Sequence, residues 1–259
     1  MTGIEIKTVK FRNRFNQIVT GGKTRLFVSA IVAAAGSGER MGGVSKPLIS
    51  LCGKPCIAYS LEAFQESGQV DEIIVVAKPE EVEEIQNIGA LYRITKLAQI
   101  VHGGATRQES VARGFEAVHK KSGIVAIHDA ARPLISTADI NALIAQAKRF
   151  GAAAAASKVT DTVKKAAKNQ FSEGTVPREL LYTVQTPQVF KTDLYRAALA
   201  LALRDKLETT DDTALAEHAG FKVRLCESGN CNLKITVPND LELIQALLKE
   251  RRNSGFQDR

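Results

Sequence analysis

The sequence predicts a doubly wound α/β domain built on a mostly parallel sheet, and three observations carry that expectation. Apolar runs of strand length alternate with amphipathic helical stretches at nearly regular intervals. The first of those runs passes directly into a glycine cluster, Gly36-Ser37-Gly38. The 259 residues, 44% hydrophobic and 24% charged, suffice for one large domain with a real core.

Taken in order, Leu26 to Ala35 is a continuous apolar run, the pattern of a strand buried on both faces. Ile57, Ala58, Leu61 and Phe64 then recur at helical spacing. Asp71 to Ala77 predicts a second strand, and Pro79 opens a Glu-rich helix, as proline does at a first turn. Ala98 to His102 reads as a third strand and Arg107 to Val118 as a helix. Ile124 to Ile127 is a fourth buried strand, ending in His128-Asp129. Thr137 to Phe150 is an amphipathic helix capped by Ser136 or Thr137. Right-handed crossovers would put Gly36, Lys78, Gly103 and Asp129 at one edge of the sheet.

The rhythm breaks between Ser157 and Thr186, a polar, Lys-rich passage with Glu173-Gly174 as its turn signal. This predicts a β-hairpin arm at about 158–184, leaving the globule. An isolated hairpin is marginal, so a second copy of the chain is the expected stabiliser, giving a homodimer joined through the arm. Beyond it, Lys222 to Cys226 and Ile235 to Val237 read as strands and Pro238 to Lys249 as a closing helix. The domain is thus expected over 28–250, between a basic leader (1–27) and a polar tail (251–259).

The net charge of +7 favours anionic partners. Much of the excess lies in the leader, where Lys7, Lys10, Arg12, Arg14, Lys23 and Arg25 face only Glu5. Elsewhere the cations are scattered, which favours a small polyphosphate over nucleic acid. Aromatics at 5% and the absence of Trp also argue against stacking platforms for bases. No apolar run is long enough to span a bilayer, and the N-terminus lacks a signal-peptide core, so a cytoplasmic protein is expected. Cys52, Cys56, Cys226 and Cys231 are too loosely spaced for a zinc site and read as free thiols.

After the first strand comes Ala34-Ala35-Gly36-Ser37-Gly38, small residues whose amides can close on a phosphate chain. It is not a dinucleotide fingerprint, because Met41 stands where glycine is needed and Ala77-Lys78 where an acid is needed. Nor is it a Walker loop, which requires Gly-Lys followed by Ser or Thr. It is a loop that brings Arg40 and then Lys46, two cations suited to neutralising charge on a reacting α-phosphate.

A string of motifs then resembles the 2-C-methyl-D-erythritol 4-phosphate cytidylyltransferase family: AAAGSGERMGG with SKPL, GGATRQESV, HDAARPLI, VTDTVK, QTPQVF, TTDDTAL and NLKIT. Together, in this order, they cover about Ser29 to Leu248. The resemblance implies a Rossmann-like nucleotidyltransferase fold and transfer of CMP from CTP to a sugar-alcohol phosphate, with Mg²⁺ as the divalent cation. It implies that Ala34, Ala35, Gly36, Ser37 and Gly38 wrap the triphosphate, that Gly103, Gly104 and Ser110 meet base and ribose, and that Arg40, Lys46 and Lys234 are catalytic. Asp129 would hold the metal. Arg132, Thr186 and Thr210 would face the acceptor, and Thr162 and Arg178 would reach a neighbouring subunit's site. Asp211 and Asp212 would support the metal or hold Lys234. One departure is Pro47, where many members carry Gln after the lysine.

Two other functions remain open at this point. A ribitol 5-phosphate cytidylyltransferase shares fold and mechanism, but tends to carry a larger or polar residue where Ala130-Ala131 precede Arg132. A catalytically inactive nucleotide-binding protein would not need Arg40, Lys46, Asp129 and Lys234 together.

Overall fold

The computed structural model describes residues 25–36, 38, 42–228 and 232–253. The leader up to residue 24 and the tail from 254 lie outside them, as do Ser37, Arg40 and Cys231.

In chain order the elements are β1 (Phe27–Ala33), β2 (Ser50–Leu51), β3 (Lys54–Pro55), α1 (Cys56–Glu66), β4 (Glu72–Ala77), α2 (Val82–Leu91), β5 (Leu97–His102), α3 (Arg107–Glu116), β6 (Ser122–Asp129), α4 (Thr137–Phe150), β7 (Ala152–Lys158), β8 (Val163–Ala166), β9 (Ser172–Val176), β10 (Tyr182–Lys191), α5 (Thr192–Asp205), α6 (Asp212–His218), β11 (Arg224–Glu227) and α7 (Asn239–Asn253). Seven strands form one sheet in the order β11-β7-β10-β6-β1-β4-β5. Only β10 runs against its neighbours, β6 and β7. The doubly wound, mostly parallel architecture is thus as expected.

Alternate residues of β1 explain the two layers. Val28, Ala30 and Val32 point into one core with Ile57, Leu61 and Phe64 of α1, Ile85 of α2 and Ile144 of α4. Ile31 points into the other, with Val111 and Phe115 of α3, Tyr195 of α5 and Leu215 of α6. A strand buried on both faces needs apolar residues at every position, which is why its sequence does not alternate. A third cluster seats Ile244 and Leu248 of α7 against Leu51 and Leu134.

Three expectations need correction. The hairpin turn is not at Glu173-Gly174, which lie within β9. The chain reverses at Ala167 to Phe171, closed by the Ala167 amide on the Phe171 carbonyl, with Gln170 at φ +67°. Ile235 to Val237 is not a strand. Its amides go to Ala131 O and to the Asp240 carboxylate at the start of α7, so none is left for a sheet neighbour. Nor does the polar tail begin at Arg251, for α7 continues to Asn253 and Arg251 donates to Leu134 O at 2.6 Å.

Candidate active site

The C-terminal ends of β1, β4, β5 and β6 open onto a cleft of about 720 Å³. After β1 the Ala34 amide still donates to Val76 O at 2.7 Å, and the chain then peels away through Ala35 and Gly36. Gly38 sits at φ +70°, and a Cβ there would lie 2.4 Å from Val44 O, so only glycine fits. The loop returns as a single 3₁₀ turn, Lys46–Leu48. Pro47 occupies its second position and is buried, where a fixed φ suits the turn. The departure from the family pattern thus seats Lys46, which lines the cleft, on a stiffened base.

The opposite wall comes from the β5–α3 junction. Gly103 packs so closely under the first loop that a Cβ would lie 2.3 Å from Ala35 Cβ. Thr106 caps α3 by accepting from the Glu109 amide, and Glu109 in turn accepts from the Ala105 amide at 2.8 Å, close to a capping box. The Ser110 hydroxyl donates to Thr106 O and accepts from the Gly104 amide at 3.0 Å, locking the wall that Gly104 and Ser110 present.

Asp129, the last residue of β6, stands at the centre. Its Oδ1 accepts from Arg107 Nε at 3.1 Å and its Oδ2 from Lys234 Nζ at 2.6 Å. Burial alone would raise this carboxyl, but Arg107 and Lys234 reverse that and hold it well below the usual carboxylate range. Burial likewise works against the Arg107 charge, and Asp212 with Asp129 more than restores it. Lys234 is brought in by an extended segment tied to the β6 turn. Arg132 donates to Asn232 O at 2.9 Å, and the Ile235 amide donates to Ala131 O.

Thr186 and Arg132 lie behind Asp129, mostly buried. The Thr186 hydroxyl accepts from the Asp129 amide at 3.0 Å and sits 3.2 Å from His128 Nδ1. His128 is fully buried, and burial lowers its pKa to about 4, with Asp129 opposing the shift and Arg132 adding to it. The neutral ring therefore holds its proton on Nε2, facing Arg132 O at 3.2 Å, and Nδ1 accepts from Thr186. Nothing in the sequence motif pointed to His128 as the prop beneath Asp129.

Of the expected site residues, Ala34, Ala35, Gly36, Gly38, Lys46, Gly104, Ser110, Asp129 and Lys234 all line the cleft. Gly103 supports it from beneath. Thr210 is exposed just before α6, and Thr162 and Arg178 are exposed on the arm, so none of the three lines this cleft. Arg40 and Ser37 lie outside the described residues. Neither Asp211 nor Asp212 holds Lys234, contrary to one expectation. Asp211 caps α6 through the Ala214 amide, and Asp212 pairs with Arg107. Lys78, expected at this edge but given no role, and Arg107, which had not been singled out, also line the cleft. Arg107 carried a readable signal: a cation at a helix N-terminus opposes the helix dipole and calls for nearby carboxylates.

A divalent cation carried by substrate phosphates needs only one or two protein carboxylates. Asp129 supplies one within the cleft lining. Among the described residues, no cluster of three or more His, Cys, Asp or Glu could hold a metal by itself. The residues present therefore fit a metal that arrives with a nucleotide.

A mostly parallel α/β sheet whose C-terminal edge offers a glycine turn, several cations and one central carboxylate fits a nucleotidyltransferase. Comparison with known proteins narrows the class. A family model for 2-C-methyl-D-erythritol 4-phosphate cytidylyltransferase matches residues 28–250. A curated relative of that description from Clostridium novyi is 44% identical over 222 residues, covering 85% of this chain and 96% of the relative. Another, from Pelotomaculum thermopropionicum, is 41% identical and covers 87% and 95%. The crystal structure of 2-C-methyl-D-erythritol 4-phosphate cytidylyltransferase from Thermus thermophilus superposes with a TM-score of 0.72 at 34% identity, covering 86% of this chain and 99% of that one. This chain belongs to the 2-C-methyl-D-erythritol 4-phosphate cytidylyltransferase family and is an enzyme of the nucleotidyltransferase class.

Proposed function

We propose that this chain transfers CMP from CTP to 2-C-methyl-D-erythritol 4-phosphate, releasing pyrophosphate, a step of isoprenoid precursor biosynthesis. The observation that carries the reading is the convergence of Lys46, Arg107 and Lys234 with Asp129 across one glycine-walled cleft. The triphosphate lies along Ala34 to Gly38, and the cytosine and ribose lie against Gly103, Gly104 and Ser110. Asp129 would hold a Mg²⁺ that arrives with the nucleotide, and the ion would supply charge neutralisation at the phosphates. The acceptor's phosphate oxygen is already anionic, so no general base is required. Lys46 and Arg40 stabilise the charge spreading over the α-phosphate and the departing pyrophosphate. Lys234, held on Asp129, orients the acceptor.

The active site is composite. The β8–β9 hairpin pairs only with itself as a separate two-stranded sheet, and Phe171 in its loop and Leu180 in the turn after it are 74% and 86% exposed. Apolar side chains so exposed on a marginal hairpin fit a surface covered by a second copy. Thr162 and Arg178 then reach the partner's cleft, where the Arg178 fork grips the acceptor phosphate.

Incubation with CTP, Mg²⁺ and either 2-C-methyl-D-erythritol 4-phosphate or ribitol 5-phosphate, followed by phosphorus NMR, tests the reading. A new diphosphate diester with the first acceptor is expected. Product only with the second, or with neither, overturns it.

A further inference from the structure

Asp212 has no part in the reaction above, yet it is tied to its centre. Its side chain is 1% exposed, and it stands outside the cleft lining. Oδ1 accepts from the Tyr195 hydroxyl at 2.7 Å and Oδ2 from Arg107 Nη1 at 2.8 Å. Its amide donates to Gln188 Oε1, also at 2.8 Å, so β10 and α5 fix it from the core side. Arg107 carries that fixity outward through Nε to Asp129 Oδ1, while its Nη2 is buried without a hydrogen-bond partner.

We infer that Asp212 is a positioning residue: anchored by Tyr195 and Gln188, it turns the Arg107 fork so that only Nε meets Asp129. The inference rests on the function proposed above. Arginine prefers to grip a carboxylate with two parallel N–H donors, and Asp129 already shares its oxygens with Lys234. Released from Asp212, the fork would close on Asp129 with both prongs and compete for the oxygens a nucleotide-borne cation needs. A role in stability alone is a weak explanation, because desolvation offsets most of what a buried ion pair contributes.

The test uses the full chain with Asp212→Asn, Tyr195→Phe and Arg107→Lys, each checked for fold by circular dichroism. Turnover is measured across a Mg²⁺ titration, and CTP binding with Mg²⁺ is measured by calorimetry without acceptor. For Asp212→Asn, the half-saturating Mg²⁺ should rise and kcat fall by about 10–100-fold, the range typical of removing a group that orients a metal ligand. Calorimetry should show weaker Mg²⁺-dependent CTP binding. Tyr195→Phe should move both in the same direction by less, and Arg107→Lys, which keeps the charge but not the fork, should lower kcat. Variants that melt earlier but keep the parental Mg²⁺ requirement and kcat overturn the inference. If Asp212→Asn does not fold, an unchanged Mg²⁺ requirement in Tyr195→Phe overturns it equally. A parental chain that binds CTP with Mg²⁺ but transfers to no acceptor contradicts the proposed reaction, while the calorimetric comparison still decides the role of Asp212.

Discussion

Asp129 is held by its own chain from several sides, through Thr186 at its amide, Arg107 and Lys234 at its oxygens and the sheet beneath. The arm between Val159 and Leu181 is held by little beyond itself: the Val159 amide on Leu181 O, the Arg178 guanidinium on Thr160 O and the β8–β9 ladder. One region is braced on all sides by the fold, and the other is braced mainly by itself and leaves Phe171 and Leu180 exposed. With the composite site proposed above, the difference means that the reaction draws on groups positioned at two levels, by folding and by assembly. Changes to the cleft should act within one subunit, and changes to the arm should act across two.

The largest effect belongs to the cleft. Lys46→Ala should lower kcat by about 10²–10³-fold, the usual cost of removing one donor to a developing oxyanion, with circular dichroism unchanged. Steady-state kinetics giving near-parental turnover would break the cleft side of the comparison. Next comes Arg178→Ala, which should also be nearly inactive alone. Mixing it with Lys46→Ala under subunit exchange should restore about a quarter of parental activity, since half the dimers are mixed and each has one of two sites intact. No recovery on mixing would mean that arm and cleft do not meet across subunits. Leu180→Asp should weaken the dimer by about 30-fold or more if this side chain is an interface anchor. Sedimentation velocity reads that shift, and a parental sedimentation profile removes Leu180 from the contact.

How much could be read from the chain follows the same division. The parallel strands β1, β4 and β6 were legible because burial on both faces leaves an unbroken apolar run. The strand β7 was not, because Ala152 to Ala156 carry no β-branched or aromatic side chain, although all five are fully buried. β10 was hidden as well, since Tyr182 to Thr186 reads as part of a polar passage until the pairing of this strand with β6 and β7 is known. At the site, the residues that touch the cleft, Lys78 apart, stood inside recognisable motifs. The props behind them, His128 and Asp212, act through contacts 58 and 105 residues away in sequence, which no local pattern encodes.

The smallest effect tests how firmly the cleft side is closed. Cys56, at the start of α1, is fully buried and donates to Ala130 O at 3.3 Å, directly beneath the turn that follows Asp129. Burial pushes its thiol up to about 12, so at pH 8 almost none of the reactive thiolate exists in the folded state. Cys52, half-buried four residues earlier, serves as an internal comparison. Iodoacetamide labelling followed by mass spectrometry should therefore modify Cys52 first, with Cys56 following only as the fold opens. Because Cys56 is buried in the cluster that Ala131 and Leu134 share with Ile244 and Leu248 of α7, that slow rate measures the opening of the packing beneath the cleft. Saturating CTP with Mg²⁺ should slow it further, since a ligand bound only to the closed form lowers the open population. Labelling of Cys56 as fast as that of Cys52 would show the floor opening freely and would remove the contrast with the arm.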